Sequence, residues 1–223
     1  MDPCYALWAS FLDQQWVSAP PTRILDVCCG TGLMTAELVA REMTVVGVDA
    51  SPAMLAGART RLGDDLELLE CVLPDLPVDG TFDAAVSTLD GLNYLTLPDF
   101  TETVAAVSRV LNPGGWFIFD VHGPGALDFA RANPVIRGEQ GGSTFTLSST
   151  LTGRTCEVTI DFEGPAGEAF TETHTQHLHA MSDVEEALRA AGLEIVALLD
   201  EYTDRPITSE TLRTTWVTRR PEG

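Results

Sequence analysis

Two strand ends near the start of the chain carry the first residues with chemistry in them. Ile24-Leu25-Asp26-Val27-Cys28-Cys29-Gly30-Thr31-Gly32 is an apolar run that ends in small residues and opens a helix. Such a turn lets a ligand approach the backbone closely, because no bulky side chain stands in the way. The next apolar run, Val45-Val46-Gly47-Val48-Asp49, places a carboxylate at its end. A carboxylate there can accept both hydrogen bonds of a ribose diol, and the two strand ends lie side by side in a doubly wound sheet. Cys28 stands where the dinucleotide pattern G-x-G-x-x-G has its first glycine, and Gly32 is followed by Met34 and Thr35, which argues against a nicotinamide cofactor.

A second group gathers where the fourth and fifth strands end. Asp120 and His122 are candidate proton acceptors, and His122 is the better base because imidazole titrates near neutral pH. Asp90, Asn93 and Tyr94 follow the fourth strand at the same end and are candidate substrate contacts; Asn93 and Tyr94 fit turn and core roles equally well. Farther on stand His174, His177 and His179. On a strand His177 and His179 share one face and His174 takes the other, from which it can reach a pocket. No third ligand is evident beside them, so no metal site is expected.

These positions need elements to hold them. A first helix is expected from Tyr5 to about Val17, ended by Ala19-Pro20-Pro21. Strands over Arg23–Val27, Thr44–Val48, Leu66–Val72, Phe82–Thr88 and Trp116–Asp120 alternate with helices over Leu33–Glu42, Ser51–Leu62 and Asp99–Leu111. That alternation predicts a parallel sheet covered on both faces. Ser143 to His179 has no helical period; its Thr/Val/Ile/Phe alternation, broken at Gly153 and Gly164-Pro165-Ala166-Gly167, predicts three antiparallel strands. Ser182-Asp183-Val184-Glu185 has the form of a capping box that starts a helix ending at Gly192. Two last strands follow, at Leu193–Tyr202 and Thr211–Thr218. The expected fold is α/β, a Rossmann-like doubly wound seven-stranded sheet in one domain over 1–223, with a small antiparallel β insertion over 134–180.

Charge narrows the partners. The chain has 13 basic residues, all Arg, against 33 acidic ones, for a net charge of -20. Nucleic-acid binding needs a positive footprint, and anionic membrane surfaces attract basic segments, so neither partner is expected. There is no run of apolar residues long enough to span a bilayer and no signal-peptide pattern at Met1-Asp2-Pro3-Cys4, which points to the cytoplasm. Five cysteines, two of them adjacent, give neither a disulfide framework nor a zinc spacing.

Taken together, the motifs resemble the class I S-adenosylmethionine-dependent methyltransferase family. The resemblance rests on Ile24 to Gly32, on Val48-Asp49-Ala50-Ser51-Pro52-Ala53-Met54-Leu55, on Leu89-Asp90-Gly91-Leu92-Asn93-Tyr94-Leu95, on Val110 to Asp120 and on Ala190-Ala191-Gly192-Leu193. It implies S-adenosylmethionine as cofactor. It implies that backbone around Cys28, Gly30 and Gly32 lines the methionine part, that Asp26 orients this loop or the amino group, and that Asp49 and Ala50 lie at the ribose. Met54 should pack near the adenine and Leu89 should approach the sulfonium. Many relatives carry a Gly-Asp pair after strand three whose Asp meets the adenine amine. Cys71-Val72 stands there instead, which leaves Asp75 or the backbone of Leu73 to substitute. The insertion resembles relatives that methylate small molecules, amino sugars among them. The N-terminal segment is shorter than theirs and offers Tyr5, Trp8 and Trp16, with Tyr5 and Trp8 as candidate substrate contacts, so closure is expected to be looser or shared in a homodimer. The favoured function is N- or O-methylation of a small metabolite or natural product, neutral or cationic. The alternatives are another reaction on the same cofactor, such as a cyclisation, a non-catalytic binding protein, or an RNA methyltransferase, the last disfavoured by charge.

Overall fold

The computed structural model describes residues 3–222. In chain order its first half is α1 (Pro3–Gln15), β1 (Arg23–Val27), α2 (Leu33–Val39), β2 (Thr44–Asp49), α3 (Pro52–Leu62), β3 (Glu67–Glu70), β4 (Phe82–Ser87), a 3-10 turn (Gly91–Tyr94), α4 (Leu97–Val110) and β5 (Leu111–His122). There follow α5 (Ala126–Ala132), β6 (Val135–Gln140), β7 (Ser143–Thr152), β8 (Thr155–Glu163), β9 (Ala169–His177), α6 (Met181–Ala190), β10 (Glu194–Asp200) and β11 (Arg213–Arg219).

Seven strands form one sheet in the order β10-β11-β5-β4-β1-β2-β3. β1 to β5 pair in parallel, and β11 runs antiparallel between β5 and β10. Central strands covered on both faces are buried along most of their length, and β1 and β4 are, each with one aspartate in an otherwise largely apolar stretch. One core layer packs Phe100, Val104 and Val107 of α4 and Val184 and Leu188 of α6 on the sheet. The other packs Trp8 and Leu12 of α1 and Met34 and Leu38 of α2 on the opposite face. Ser51 accepts from the Met54 N–H at 3.3 Å, and Pro52 opens α3, as a helix start requires.

β6 to β9 form a separate antiparallel sheet of four strands, one more than expected. The missed strand is β6, whose Arg137-Gly138-Glu139 interrupts apolar alternation; Gly138 is kept because the Phe145 ring would lie 2.2 Å from a Cβ there. α5 was also unexpected, a short helix directly after Gly123-Pro124-Gly125. The capping box is not used as such. α6 begins at Met181, its N-cap is Ala180, and no side chain caps it, so Ser182 lies inside the first turn. β9 ends at His177, so His179 does not share a strand face with it; it is buried, with its ring 4.6 Å from that of Phe100.

Candidate active site

A cavity of about 790 Å³ opens where β1, β2 and β4 end. Its size lies in the range of small-molecule and cofactor pockets. The turn after β1 builds one wall through left-handed backbone at Cys28 (φ 59), Gly30 (φ 55) and Gly32 (φ 75). The Cys29 N–H donates to Val48 O at 3.0 Å, which ties this turn to β2. Asp49 then fixes the geometry from its side chain: Oδ2 accepts from the Gly30 N–H and Oδ1 from the Ser51 N–H, both at 2.9 Å. Gly47 lets β2 approach, since a Cβ there would sit 2.7 Å from Leu68 Cδ2 and 3.0 Å from Cys29 Sγ.

Cys28, Gly30, Asp49, Ala50, Met54, Leu73 and Leu89 line this cavity, as do Tyr5 of α1, Tyr94 of the 3-10 turn and His174 of β9. Tyr94 and His174 meet across its mouth, hydroxyl to Nδ1 at 3.0 Å. Gly32 and Asp26 belong to the frame instead. Gly32 caps α2 and packs on α3, where an added Cβ would meet Leu62 Cδ1 at 2.7 Å. Asp26 is fully buried and accepts from Thr35 Oγ1 at 2.5 Å. Burial pushes its carboxyl up to about 7, against the Thr35 hydrogen bond. Burial likewise pushes the Cys28 thiol up to about 12, so it packs as a neutral group.

A second cavity, of about 710 Å³, lies between β5, β11 and the four-stranded sheet. It holds His122, whose Nε2 is 3.1 Å from Gln176 Oε1, and Asp90, Glu201 and Arg213. Arg213 donates to both oxygens of Asp90, at 3.1 and 2.5 Å, and to Glu201 at 3.0 Å. The two cavities share a boundary. Leu89 and Gly91 line the first while Asp90 lines the second, and on β9 His174 lines the first while Gln176 lines the second. Leu89 and Asp90 both have left-handed backbone, φ 62 and 65, a conformation that costs about 1–3 kcal/mol per residue and persists where its surroundings enforce it.

Four of the expected contacts take other places. Asp120, expected as a base, is fully buried and lines neither cavity; its oxygens accept from the N–H groups of Leu89 and Asp90 and from the Tyr202 hydroxyl. Trp8, expected at the substrate, is buried in the core and stacks on Tyr202, 4.7 Å between ring centroids. Asn93 is fully buried and structural, accepting from the His122 N–H at 3.2 Å and donating to Asp90 at 3.2 Å. Asp75 is exposed on the loop after β3 and lines neither cavity. Sequence reading missed Tyr202, Arg213 and Gln176. Arg213 had a signal: it is a cation that opens a buried strand, and its register places it opposite His122.

Residues 24–115 match the family model described as a methyltransferase domain. YqeM of Bacillus subtilis (strain 168), which is named a methyltransferase, is 30% identical over 210 residues, covering 90% of this chain and 84% of its own. The chain belongs to the S-adenosylmethionine-dependent methyltransferases. An S-adenosylmethionine-dependent methyltransferase from Clostridium acetobutylicum ATCC 824 superposes with a TM-score of 0.91 at 25% identity, over 99% of this chain and 93% of that one. CalS10 of Micromonospora echinaspora, solved with S-adenosylmethionine bound, gives 0.76 at 25% identity over 97% and 91%. The first cavity fits that cofactor: a Cβ added at Gly30 would meet nothing within 4 Å, so the turn presents bare backbone beside the Asp49 carboxylate. Among the described residues no helix is long and apolar enough to cross a membrane, and no group of three or more His, Cys, Asp or Glu is placed to hold a metal.

Proposed function

We propose that this methyltransferase transfers the methyl group to a nitrogen of a small cationic metabolite seated in the second cavity. The charge of that cavity carries the reading. Asp90, Asp200, Glu201 and Glu210 line it against the single guanidinium of Arg213, over an apolar floor that includes Ile136, Leu147 and Val158. A cleft lined by carboxylates concentrates cations, and an amine at neutral pH is one. CalS10 is described as an amino pentose methyltransferase, and an amino sugar is a fitting member of this acceptor class.

In the first cavity Asp49 would hold the ribose diol, backbone around Cys28 and Gly30 would receive the methionine part, and Met54 and Leu73 would flank the adenine. When bound, the cofactor would supply an electrophilic methyl group on a sulfonium, with the neutral thioether as its leaving group. The protein aligns the acceptor and excludes water. A protonated amine must first lose a proton, and His122 is the group placed to take it. With Gln176 Oε1 as acceptor, His122 Nε2 carries its proton and Nδ1 keeps a lone pair. Segment 134–180 covers the acceptor, and Tyr5, Tyr94 and His174 close the cofactor in. The five free thiols fit a cytoplasmic setting.

The test is transfer of labelled methyl from S-adenosylmethionine to a panel of amines, alcohols and carboxylic acids. Label should go to amines. Preferential labelling of alcohols would move the reading to O-methylation, and preferential labelling of anionic acids would sink the cationic-acceptor reading.

A further inference from the structure

The boundary between the cavities needs an agent that enforces it. Two consecutive non-glycine residues, Leu89 and Asp90, hold left-handed backbone there, and both N–H groups point at one carboxylate. Asp120 Oδ2 accepts from Leu89 at 2.7 Å and Oδ1 accepts from Asp90 at 2.6 Å. A third donor, the Tyr202 hydroxyl, reaches Oδ2 at 2.7 Å. Tyr202 is itself clamped by α1: Trp8 stacks on it at 4.7 Å and Phe11 meets it edge-on at 5.6 Å. One turn earlier on α1, Tyr5 lines the cofactor cavity.

We propose that Asp120 and Tyr202 are positioning residues that hold Leu89 and Asp90 in the shape the cofactor cavity requires, and that they make this wall and α1 one mechanical unit. The proposal rests on the first cavity as the cofactor site and not on the identity of the acceptor.

The device works through acceptance, so it needs the carboxylate ionised. A protonated Asp120 would bring an O–H donor into a ring of three donors, which is met only if the Tyr202 hydroxyl turns from donor to acceptor, and the neutral carboxyl holds the two N–H groups less strongly. The charged and titratable groups facing Asp120 are Asp90 after β4, Arg213 on β11, with its Nε 3.6 Å from Oδ1, and Tyr202 after β10. His122 is on β5 itself, and Glu201 holds the other side of Arg213. Burial first, then the Asp90 charge, push Asp120 up to about 6, while Arg213 and the Tyr202 hydroxyl pull it down. The wall is therefore intact above that pH and loosens below it.

The experiment is calorimetric titration with S-adenosylhomocysteine from pH 5 to pH 7.5, which requires no acceptor. The wild-type protein should bind about tenfold more weakly at pH 5 than at pH 7.5, as coupling to one proton gives. D120N should bind weakly at every pH, and any titration of the ligand itself would persist in it as a baseline. Y202F removes a hydrogen bond to the ionised form, so its transition should move to higher pH. A flat wild-type profile, or wild-type affinity in D120N with only its melting temperature lowered, would overturn the proposal. If D120N does not fold, an unmoved transition in Y202F overturns it. No binding by the wild-type protein at any pH would instead overturn the cofactor site.

Discussion

The two cavities are similar in volume, about 790 and 710 Å³, yet they are made from different material. The first is built mostly from the turn after β1, the end of β2, the start of α3 and the residues after β3 and β4, with Tyr5 of α1 and His174 of β9 added from afar. One side chain, Asp49, organises it by accepting two N–H groups. The second is built from side chains brought from β5, α5, the four-stranded sheet and the segment before β11. Backbone geometry is set by a few glycines and cannot be altered cheaply, whereas charged side chains can be exchanged one at a time. The difference suits a site whose ligand is fixed beside one whose ligand differs among relatives.

Several measurements would break or sharpen that division. The largest effect should follow His122→Ala, which removes the group proposed as proton acceptor of the second cavity. Turnover should fall about 10²–10⁴-fold, the usual worth of general-base catalysis, with S-adenosylhomocysteine affinity unchanged. Equal losses in both would merge the two cavities into one functional unit.

Next is the buried Asp26 of the first region. Its folded-state pKa is raised, so its contribution to stability is present below the ordinary carboxylate pKa near 3.8 and is lost as pH rises through about 7. Over that window it should cost on the order of a few kcal/mol. Asp26→Asn keeps an acceptor for Thr35 and removes the ionisation, so its melting temperature should exceed that of the wild type at pH 8 more than at pH 5. A difference independent of pH would show that Asp26 is ionised throughout and that its folded-state pKa is not raised.

Asp49→Ala should weaken S-adenosylhomocysteine by about 1–3 kcal/mol, the cost of leaving buried donors unmet. Unchanged affinity in calorimetry would move the ribose elsewhere. The smallest effect belongs to Ser51→Ala, which removes only the cap of α3 and should lower stability by about 1 kcal/mol in chemical denaturation. A larger loss, accompanied by weaker cofactor binding, would make the α3 start part of the ligand site.

The same contrast governs what the sequence disclosed. Strands β1, β2 and β4 and the wall they build were legible within a residue or so, because local apolar runs and glycine turns report local structure. Asp49 was legible for the same reason. Asp120 was misread because its burial comes from far along the chain: Tyr202 and Arg213 seal it, and nothing near position 120 announces them. Trp8 was misread because an aromatic on a helix fits either a pocket or a stack, and Tyr202 decides for the stack. β6 was lost to its own glycine and charges. The second cavity was legible only at His122, which ends β5, and Asp90, in the loop after β4; Asp200 and Arg213, at ends of β10 and β11, went unread.

All four strands of the smaller sheet fall within one connection, between α5 and α6. The chain leaves the main sheet once, builds the whole smaller sheet, and returns once. Modular replacement follows from that wiring. A different small sheet can be spliced into this one interval while the main sheet keeps every residue and its strand order, so this part of the second cavity's lining can be exchanged as a cassette.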